Sequence, residues 1–373
     1  MYKLEIGFLD YFRELEDPRS SRNRLYSMGE ILLVTLGAAI CGAEGWQDVE
    51  DFGNLKLEFL RTILPFNHGI PSDDTFRRFF RSIDPDQFQS LFRKWASSLS
   101  DNISGKIIAI DGKSSRRSFD GDGAMLHMIS AYATEARLVL CQEKVSDKSN
   151  EITAIPKLLE WLDVRSSIVT IDAFGCQYEI GNKIRSKGGD YIFSLKGNQG
   201  NLHEDVKLYL KDMEWDNNSC EDFDKGHGRI ETRRCLVSND VQWLRESHPH
   251  WSSINTIASI ESIREIKGNS SSEVRYYVSS LKNATPEKML SSVRSHWAIE
   301  NSLHWVLDMS FGEDQSRIRK DNAPQVMAVI RHLALNLLQL KKAQMPRQSI
   351  KRLRKMAGWA DTVLLSILQL KFS

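Results

Sequence analysis

The chain has 373 residues, a length that predicts two or three domains with ample hydrophobic core and excludes a miniature disulfide scaffold. Hydrophobic residues make up 41% and charged residues 27%, which is ordinary globular usage and excludes a fibrous or wholly disordered chain. The 50 Lys and Arg residues balance 49 Asp and Glu residues, so any nucleic-acid surface must be a local patch.

The five cysteines are odd in number and contain no C-x-x-C pair. This pattern argues against a zinc knuckle or an oxidised secreted framework and predicts reduced thiols in the cytosol. The longest apolar run, residues 31–42, is about half of the roughly 20 residues that a membrane span needs, so it predicts a buried core helix. The first residues show no secretory signal pattern. We therefore expect a cytoplasmic protein without a membrane partner.

The first hundred residues have the spacing of amphipathic helices and predict an all-α N-terminal domain over residues 1–100. Within it, residues 72–83 (SDDTFRRFFRSI) alternate phenylalanines with Arg77, Arg78 and Arg81, which predicts a short helix with a basic face. That face has two interpretations. It is either a solvated surface over an aromatic core or a DNA-contacting surface.

From residue 105 onward, short apolar runs alternate with helical segments, which predicts an α/β sheet with parallel neighbours. The predicted strands are near residues 107–110, 126–133, 138–145, 168–171 and 191–195, and the first helices cover about 151–162 and 178–186. Strand-like segments at 229–237, 254–263 and 274–281 predict a β-rich insertion over residues 214–282.

The C-terminal part is predicted to be helical again. Thr285 and Pro286 provide an N-cap and a first-turn proline for a long helix towards Leu307, and Asn322 and Pro324 begin a second helix through Leu340. Residues 341–355 carry seven Lys and Arg residues and no acid. They are either a basic solvated face or a set of phosphate contacts, and we assign residues 346–373 to basic C-terminal helices.

Two segments end alike: the runs before Asp111 and Asp172 are buried-strand patterns that each finish with Ile-Asp and a small residue. Ligands gather at the carboxyl ends of parallel strands, so neighbouring strands would place these two carboxylates side by side. Two unit charges about 4 Å apart repel by roughly 4 kcal/mol at an effective dielectric constant near 20. A divalent cation with oxygen ligands would convert that repulsion into a binding site. The alternative is that each aspartate is a turn or cap residue.

A third carboxylate, Glu300, shares a helical stripe with Val293, Trp297, Leu303 and Leu307 and is expected to face the sheet. It either joins the metal site or pairs with a cation such as Arg294. Two competing motifs are incomplete. The His296, Glu300 and His304 spacing lacks H-E-x-x-H, and the G-K-S after Asp111 lacks the first glycine of a phosphate loop.

The segments IAIDGKSSRRS, VTIDAFGCQ, YIFSLKGNQG and RSHWAIENSLHWVLDMSFGEDQSRIR resemble those of bacterial insertion-sequence transposases of the DDE class. The closest similarity is to the group that includes the H-repeat-associated proteins linked to Rhs elements. The resemblance covers nearly the whole chain. It implies a ribonuclease-H-like catalytic domain, here residues 101–213 and 283–345, interrupted by the β-rich insertion.

The resemblance also implies function. Asp111, Asp172 and Glu300 match the three catalytic acids, which would hold two Mg²⁺ ions, with Mn²⁺ as a substitute, and cleave and transfer DNA strands at element ends. Lys113, Arg116, Arg117 and Lys196 are candidate phosphate contacts near the strand ends. Val293, His296 and Leu307 stand at the Tyr, Arg and Lys positions that the wider superfamily has around its glutamate, with His296 and Arg294 as possible substitutes. The implied partner is DNA, bound by a homodimer or larger oligomer at the nucleoid.

Two other functions fit the same residues. One is a domesticated or decayed relative that binds DNA without transposition. The other is a metal-dependent nuclease that cleaves without strand transfer, since both reactions use the same kind of site.

Overall fold

The computed structural model describes residues 6–99, 106–118, 125–145, 151–215, 218–226 and 228–370. Its N-terminal region is helical, as predicted, and α2 begins with a capping box formed by Ser27 and Glu30. Asp84 and Pro85 begin α6 as N-cap and first-turn proline. The helices are α1 (Gly7–Phe12), α2 (Met28–Cys41), α3 (Trp46–Leu55), α4 (Leu57–Arg61), α5 (Asp73–Ser82) and α6 (Pro85–Ser98).

A nine-stranded sheet forms the centre of the molecule, in the order β3-β2-β1-β4-β5-β9-β8-β7-β6. Strands β1, β4 and β5 are parallel, and every other neighbouring pair is antiparallel. The first five strands have the ribonuclease-H-like arrangement, which confirms the predicted fold class. The strands are β1 (Ile107–Ser115), β2 (Leu126–Ala133), β3 (Leu138–Val145), β4 (Ile168–Ile171), β5 (Asp190–Leu195), β6 (Ser219–Gly226), β7 (Arg229–Ser238), β8 (Thr256–Ile266) and β9 (Asn269–Ser279).

Helices cover the sheet and join it to the N-terminal region. The later helices are α7 (Glu151–Trp161), α8 (Tyr178–Ser186), α9 (Gly200–Lys211), α10 (Gln242–Ser247), α11 (Pro286–Ala298), α12 (Trp305–Phe311), α13 (Ala323–Gln344), α14 (Ile350–Trp359) and α15 (Asp361–Leu368). The very apolar α13 packs against α2, α6 and β3, so the N-terminal helices and the sheet share one hydrophobic core. The division into domains stays a prediction, and its boundary at residues 100 and 101 lies outside the described residues.

Two predicted elements differ in extent from the structure. The long helix expected from Pro286 to Leu307 is interrupted by a π-helical turn at Ile299–His304, which separates α11 from α12. Strand β1 does not end at Asp111 but continues to Ser115, because β2 pairs with it along its whole second half. Asp111 therefore marks the end of the parallel pairing with β4, not the end of the strand.

The hairpin of β8 and β9 also lies a few residues from the predicted segments. Lys267 and Gly268 form its two-residue turn with φ values of 50° and 82°. Positive φ at both central positions is what a tight hairpin turn requires, and it fixes the register of both strands.

The basic C-terminal segment is not uniformly exposed. Arg354 is 7% exposed and donates hydrogen bonds to the carbonyls of Ala39 and Ile40 at 2.8 and 3.2 Å. It thereby caps the C-terminus of α2, and its guanidinium lies 4.1 Å from the ring centroid of Phe311. Phosphate contact by Arg354 is wrong for this reason, whereas Lys351 and Arg352 are exposed.

Within the described residues, no single helix has the length and hydropathy of a membrane span, although α2 and α3 would pass that test as a pair bent by 98°.

Candidate active site

The parallel pairing of β1 with β4 brings two predicted acids to one edge of the sheet. Ile110 is in register with Ile171, so Asp111 and Asp172 are the next residues of adjacent strands. The Asp172 carboxylate accepts hydrogen bonds from the backbone N–H groups of Phe174 at 3.0 Å and Gly175 at 3.3 Å. These bonds hold the side chain at the carboxyl end of β4, where ligands of such sheets bind.

The π-helical turn brings Glu300 and His304 over the same edge. His304 Nδ1 lies 3.0 Å from Glu300 Oε2 and 3.7 Å from Asp111 Oδ2. One ligand atom from each of these three residues lies within 4.8 Å of the others. The predicted buried stripe is partly wrong: Leu303 is buried, but Glu300 is exposed because the extra residue of the π turn directs it into the cleft.

A cleft of about 230 Å³ collects the predicted residues. Asp111, Asp172 and Glu300 all line it, together with Lys196, which follows β5 on the same edge. Residues not predicted for the site complete its walls: Thr170, Arg275, Tyr277 and Trp297. Trp297 is 46% exposed and its ring lies 5.1 Å from the Arg275 guanidinium.

The acids are electrostatically strained in a way that a cation would relieve. Burial, with a further contribution from the Asp172 charge, raises the pKa of Asp111 from 3.8 to about 6. Although Asp172 is exposed at the cleft mouth, the protein packed around it raises its pKa as well, and the Glu151 charge adds to this effect. By contrast, the hydrogen bond with His304 lowers the pKa of Glu300. A set of carboxylate oxygens in a partly dehydrated cleft fits a hard divalent cation.

The two candidates for the superfamily arginine position do not present a free positive charge. His296 accepts or donates one hydrogen bond between Nδ1 and Thr170 Oγ1 at 2.9 Å, and burial lowers its pKa to about 4. It is therefore neutral at pH 7. Arg294 forms ion pairs with Asp222 and Asp224 on β6 and does not line the cleft described above.

Lys113 is surrounded by carboxylates instead of solvent. Its ammonium group lies 2.7 Å from Asp308, 3.3 Å from Asp314 and 3.7 Å from Glu313, and the side chain is 12% exposed. These contacts tie β1 to α12 and to the segment that follows it, and they favour a structural role over phosphate contact. Arg116 also pairs with Asp314 but stays 81% exposed, and Arg117 is exposed.

The basic face of α5 lies beside a loop that the sequence analysis did not single out. Phe76, Phe79 and Phe80 are buried as predicted, and the arginines face outward. Arg77 and Arg81 line a groove together with Arg317, Arg319 and Lys320.

The arginines of α5 are paired with acids. Arg77 pairs with Asp73 and Asp74, Arg78 with Asp74 at 3.6 Å, and Arg81 with Asp321. Arg319 donates to the Arg117 carbonyl at 2.8 Å, so this groove joins the rim of β1.

A buried polar chain next to Asp111 was missed by sequence reasoning. Ser114 Oγ lies 2.7 Å from His127 Nδ1, and His127 Nε2 lies 2.5 Å from Glu151 Oε1. Gly112 makes room for it, because a Cβ there would lie 2.5 Å from Glu151 Oε1. Four scattered positions have no sequence signal in common. Antiparallel pairing of β1 with β2 is what brings Ser114 opposite His127.

Cys176, which follows Asp172 by four residues, is fully buried, and burial raises the pKa of its thiol. It has the character of a core side chain, not of a nucleophile.

Two protein families match this chain, and together they cover most of it. The family described as "Transposase DDE domain" matches residues 103–337, and the family described as "DDE_Tnp_1-associated" matches residues 9–96. The chain is 39% identical to "Putative transposase YncI" of Escherichia coli O157:H7, over 98% of this chain and 96% of that protein. It is 38% identical to "H repeat-associated putative transposase YhhI" of Escherichia coli strain K12, over 96% of this chain and 97% of that protein.

Among solved structures, a piggyBac transposase synaptic complex with hairpin DNA aligns with 98% of this chain and 77% of that chain, with a TM-score of 0.47 and 10% sequence identity. This likeness is too low to carry an inference about the site.

Proposed function

The chain belongs to the family of transposases with a DDE domain and is a DNA transposase, and we propose that Asp111, Asp172 and Glu300 are its catalytic acids. The observation that carries this proposal is their convergence on one cleft from three separate segments, two strands and a π-helical turn. The raised pKa values of Asp111 and Asp172 support it, since perturbed carboxylates that share a cleft are typical of active sites.

We further propose that Asp111 and Asp172 hold one divalent cation and that Asp111 and Glu300 hold a second. The natural ion would be Mg²⁺, with Mn²⁺ as a substitute. When bound, such a pair activates water or a 3′-hydroxyl group and stabilises the leaving oxygen of an in-line phosphodiester displacement. Asp111, at the centre of the edge, would serve both ions, which accounts for its place between the other two acids.

Cations on the cleft walls would position the DNA backbone. Lys196 is exposed on the same edge as the acids, and no ion pair forms to it from the residues that the structure describes. It is the best-placed phosphate contact near the acids. Arg275 forms an ion pair with Glu273 at 2.9 Å, and its guanidinium lies over the ring of Trp297. It therefore lines the cleft as a paired residue and not as a free cation.

The groove lined by Arg77, Arg81, Arg317, Arg319 and Lys320 would continue this path away from the cleft. Through the bond from Arg319 to the Arg117 carbonyl it adjoins exposed Arg116 and Arg117. We propose that the DNA backbone follows this route. Because transposition cuts two element ends and the described residues of a chain form one such cleft, we also propose that two or more copies assemble on DNA, in the cytoplasm at the nucleoid.

The proposal is tested by cleavage of cognate ends in Mg²⁺ with Asp111→Asn, Asp172→Asn and Glu300→Gln. Each variant should lose at least about 1000-fold in cleavage rate while still binding DNA, because metal stabilisation of the transition state amounts to several kcal/mol. Asp308→Asn is the matched control, since its carboxylate binds Lys113 and does not line the cleft. Cleavage near the wild-type rate in the Glu300→Gln variant would show that the third acid is wrongly chosen.

A further inference from the structure

His304 lies close to Asp111 and Glu300, although the spacing of His296, Glu300 and His304 does not form the H-E-x-x-H motif. We propose that His304 Nδ1 is a direct ligand of the divalent ion that Asp111 and Glu300 hold, so that this ion has a nitrogen in its coordination shell. The inference rests on the proposed function and adds to it a residue and a preference among metals.

The spacing of the donor atoms supports direct ligation. Cis ligands of an octahedral ion with bonds of about 2.1 Å lie about 3 Å apart. His304 Nδ1 is 3.0 Å from Glu300 Oε2 and 3.7 Å from Asp111 Oδ2. All three ligand atoms lie within 4.8 Å of one another, and movement of the exposed Glu300 side chain would bring them to the spacing that a shared ion imposes.

The fold also determines which ring nitrogen of His304 can bind the ion. The His304 side chain is 6% exposed, and its Nε2 is buried with no hydrogen-bond partner among the described residues. Nδ1 is the nitrogen that lies near the carboxylates of Asp111 and Glu300. The ring is therefore held by packing with one nitrogen directed at two carboxylates, which is a preorganised ligand.

Glu300 and His304 are four residues apart within the π-helical turn Ile299–His304, so both side chains lie on the same side of it. Turns of this kind are frequent at functional sites. His296, eight residues earlier on α11, lines the cleft but forms a hydrogen bond with Thr170, and therefore it is the natural comparison for His304.

The experiment is pulsed electron paramagnetic resonance of Mn²⁺ bound to the full chain. With natural-abundance protein we expect ¹⁴N modulation from a directly bound imidazole, and with ¹⁵N-histidine labelling we expect that modulation to change to the ¹⁵N pattern. The modulation should be lost in His304→Gln and retained in His296→Gln. An imidazole nitrogen binds Mn²⁺ less strongly than Zn²⁺ but more strongly than Mg²⁺. The His304→Gln variant should therefore lose at least about tenfold in Mn²⁺ affinity and less in Mg²⁺ affinity.

The outcomes separate the two proposals. Mn²⁺ that binds, is displaced by Asp111→Asn and shows no histidine modulation would overturn ligation by His304 and leave the catalytic assignment intact. Modulation that disappears in His296→Gln would show that His296, and not His304, is the ligand, and would also overturn the inference. Mn²⁺ binding that is absent, or unchanged by Asp111→Asn, would contradict the proposed metal site itself. If His304→Gln does not fold, ¹⁵N labelling of the wild type together with His296→Gln still decides the question.

Discussion

Two clusters of carboxylates contact β1, one around Asp111 and one around Lys113, and they differ in how their charge is balanced. In one, Asp308, Glu313 and Asp314 surround Lys113, with Arg116 and the buried Arg331 at its margin. In the other, the acids of the cleft have only the imidazole of His304 within ion-pair distance among the described residues. The balanced cluster joins parts of the fold, whereas the unbalanced one leaves charge for a ligand to neutralise.

Two lysines that looked alike in sequence illustrate the same difference. Lys113 and Lys196 each follow a predicted strand and were both candidates for phosphate contact. The structure surrounds Lys113 with acids and leaves Lys196 exposed in the cleft. A cation near an active site is therefore available to substrate only where the fold has not already paired it.

The largest expected effect on stability comes from removing the internal cation. Lys113→Met would remove the central counter-charge of Asp308, Glu313 and Asp314 and leave only Arg116 and Arg331 at the margin. We therefore expect the free energy of unfolding to fall by about 3–5 kcal/mol. Lys196→Met should change it by less than about 0.5 kcal/mol, because that side chain is exposed. Urea denaturation of both variants measures the difference. Equal effects would contradict the distinction between the two lysines.

In the cleft, removing a charged side chain should raise the free energy of unfolding instead of lowering it. Since folding raises the pKa of Asp111 from 3.8 to about 6, the folded state binds its proton more tightly than the unfolded state does. Metal-free stability should therefore decline as the pH rises from about 4 to 6, at a full cost of up to about 3 kcal/mol.

The variant Asp111→Asn isolates this effect. With a chelator present, it should be more stable than wild type at pH 7 and nearly equal to it at pH 4. Denaturation curves at both pH values provide the test, and a variant that is less stable than wild type at pH 7 would show that the carboxylate is already compensated.

A smaller effect is expected at Gly112 on β1, next to the buried hydrogen-bonded side chains of Ser114, His127 and Glu151. A methyl group at Gly112 would crowd Glu151 and His127, whereas a Cβ at Gly197 meets nothing within 4 Å. Gly112→Ala should therefore cost about 1–3 kcal/mol of stability and reduce cleavage by displacing Asp111, and Gly197→Ala should do neither. Thermal unfolding and an end-cleavage assay of the pair would show the contrast. Unimpaired cleavage by Gly112→Ala would mean that the hydrogen-bonded side chains of Ser114, His127 and Glu151 do not support the site.

The smallest effect concerns DNA affinity. If Lys196 contacts one phosphate, Lys196→Gln should reduce the slope of log K against log salt by about 0.9. Lys282→Gln is the matched control, since Lys282 is exposed beyond the end of β9, at the opposite edge of the sheet. Titrations of a duplex at several salt concentrations compare the two. An equal change of slope in both variants would mean that the cleft is not the route of the DNA backbone.

Much of the sheet could be predicted, because periodicity and turn signals are local. The predicted bounds of β2, β3, β4 and α8 agree with the structure, as do Thr285 and Pro286 at the start of α11. A sheet with parallel neighbours also follows from the buried apolar runs. The adjacency of β1 and β4, which brings Asp111 and Asp172 to one edge, was left open by the sequence and is supplied by the structure.

What could not be predicted depends on contacts between distant segments. The π turn at Ile299–His304 has no distinct sequence signature, so Glu300 was expected to be buried and His304 was left unassigned. The charge environment of Lys113 and Arg354 arises from residues about 200 and 310 positions away, which spacing along the chain cannot reveal. Whether a charged side chain is free or paired is a tertiary property.

The proposed metal site requires that the cleft acids stay uncompensated until a divalent ion binds. The most direct test is the melting temperature with and without millimolar Mn²⁺ for wild type, Asp111→Asn, Asp172→Asn and Glu300→Gln. A ligand that binds only the folded state adds about 2.7 kcal/mol at a hundredfold excess over Kd. We predict a clear rise for wild type and a much smaller rise for each variant, with Asp111→Asn least responsive because both proposed sites use Asp111. Equal rises in wild type and all three variants would place the ion elsewhere and contradict the proposed metal site.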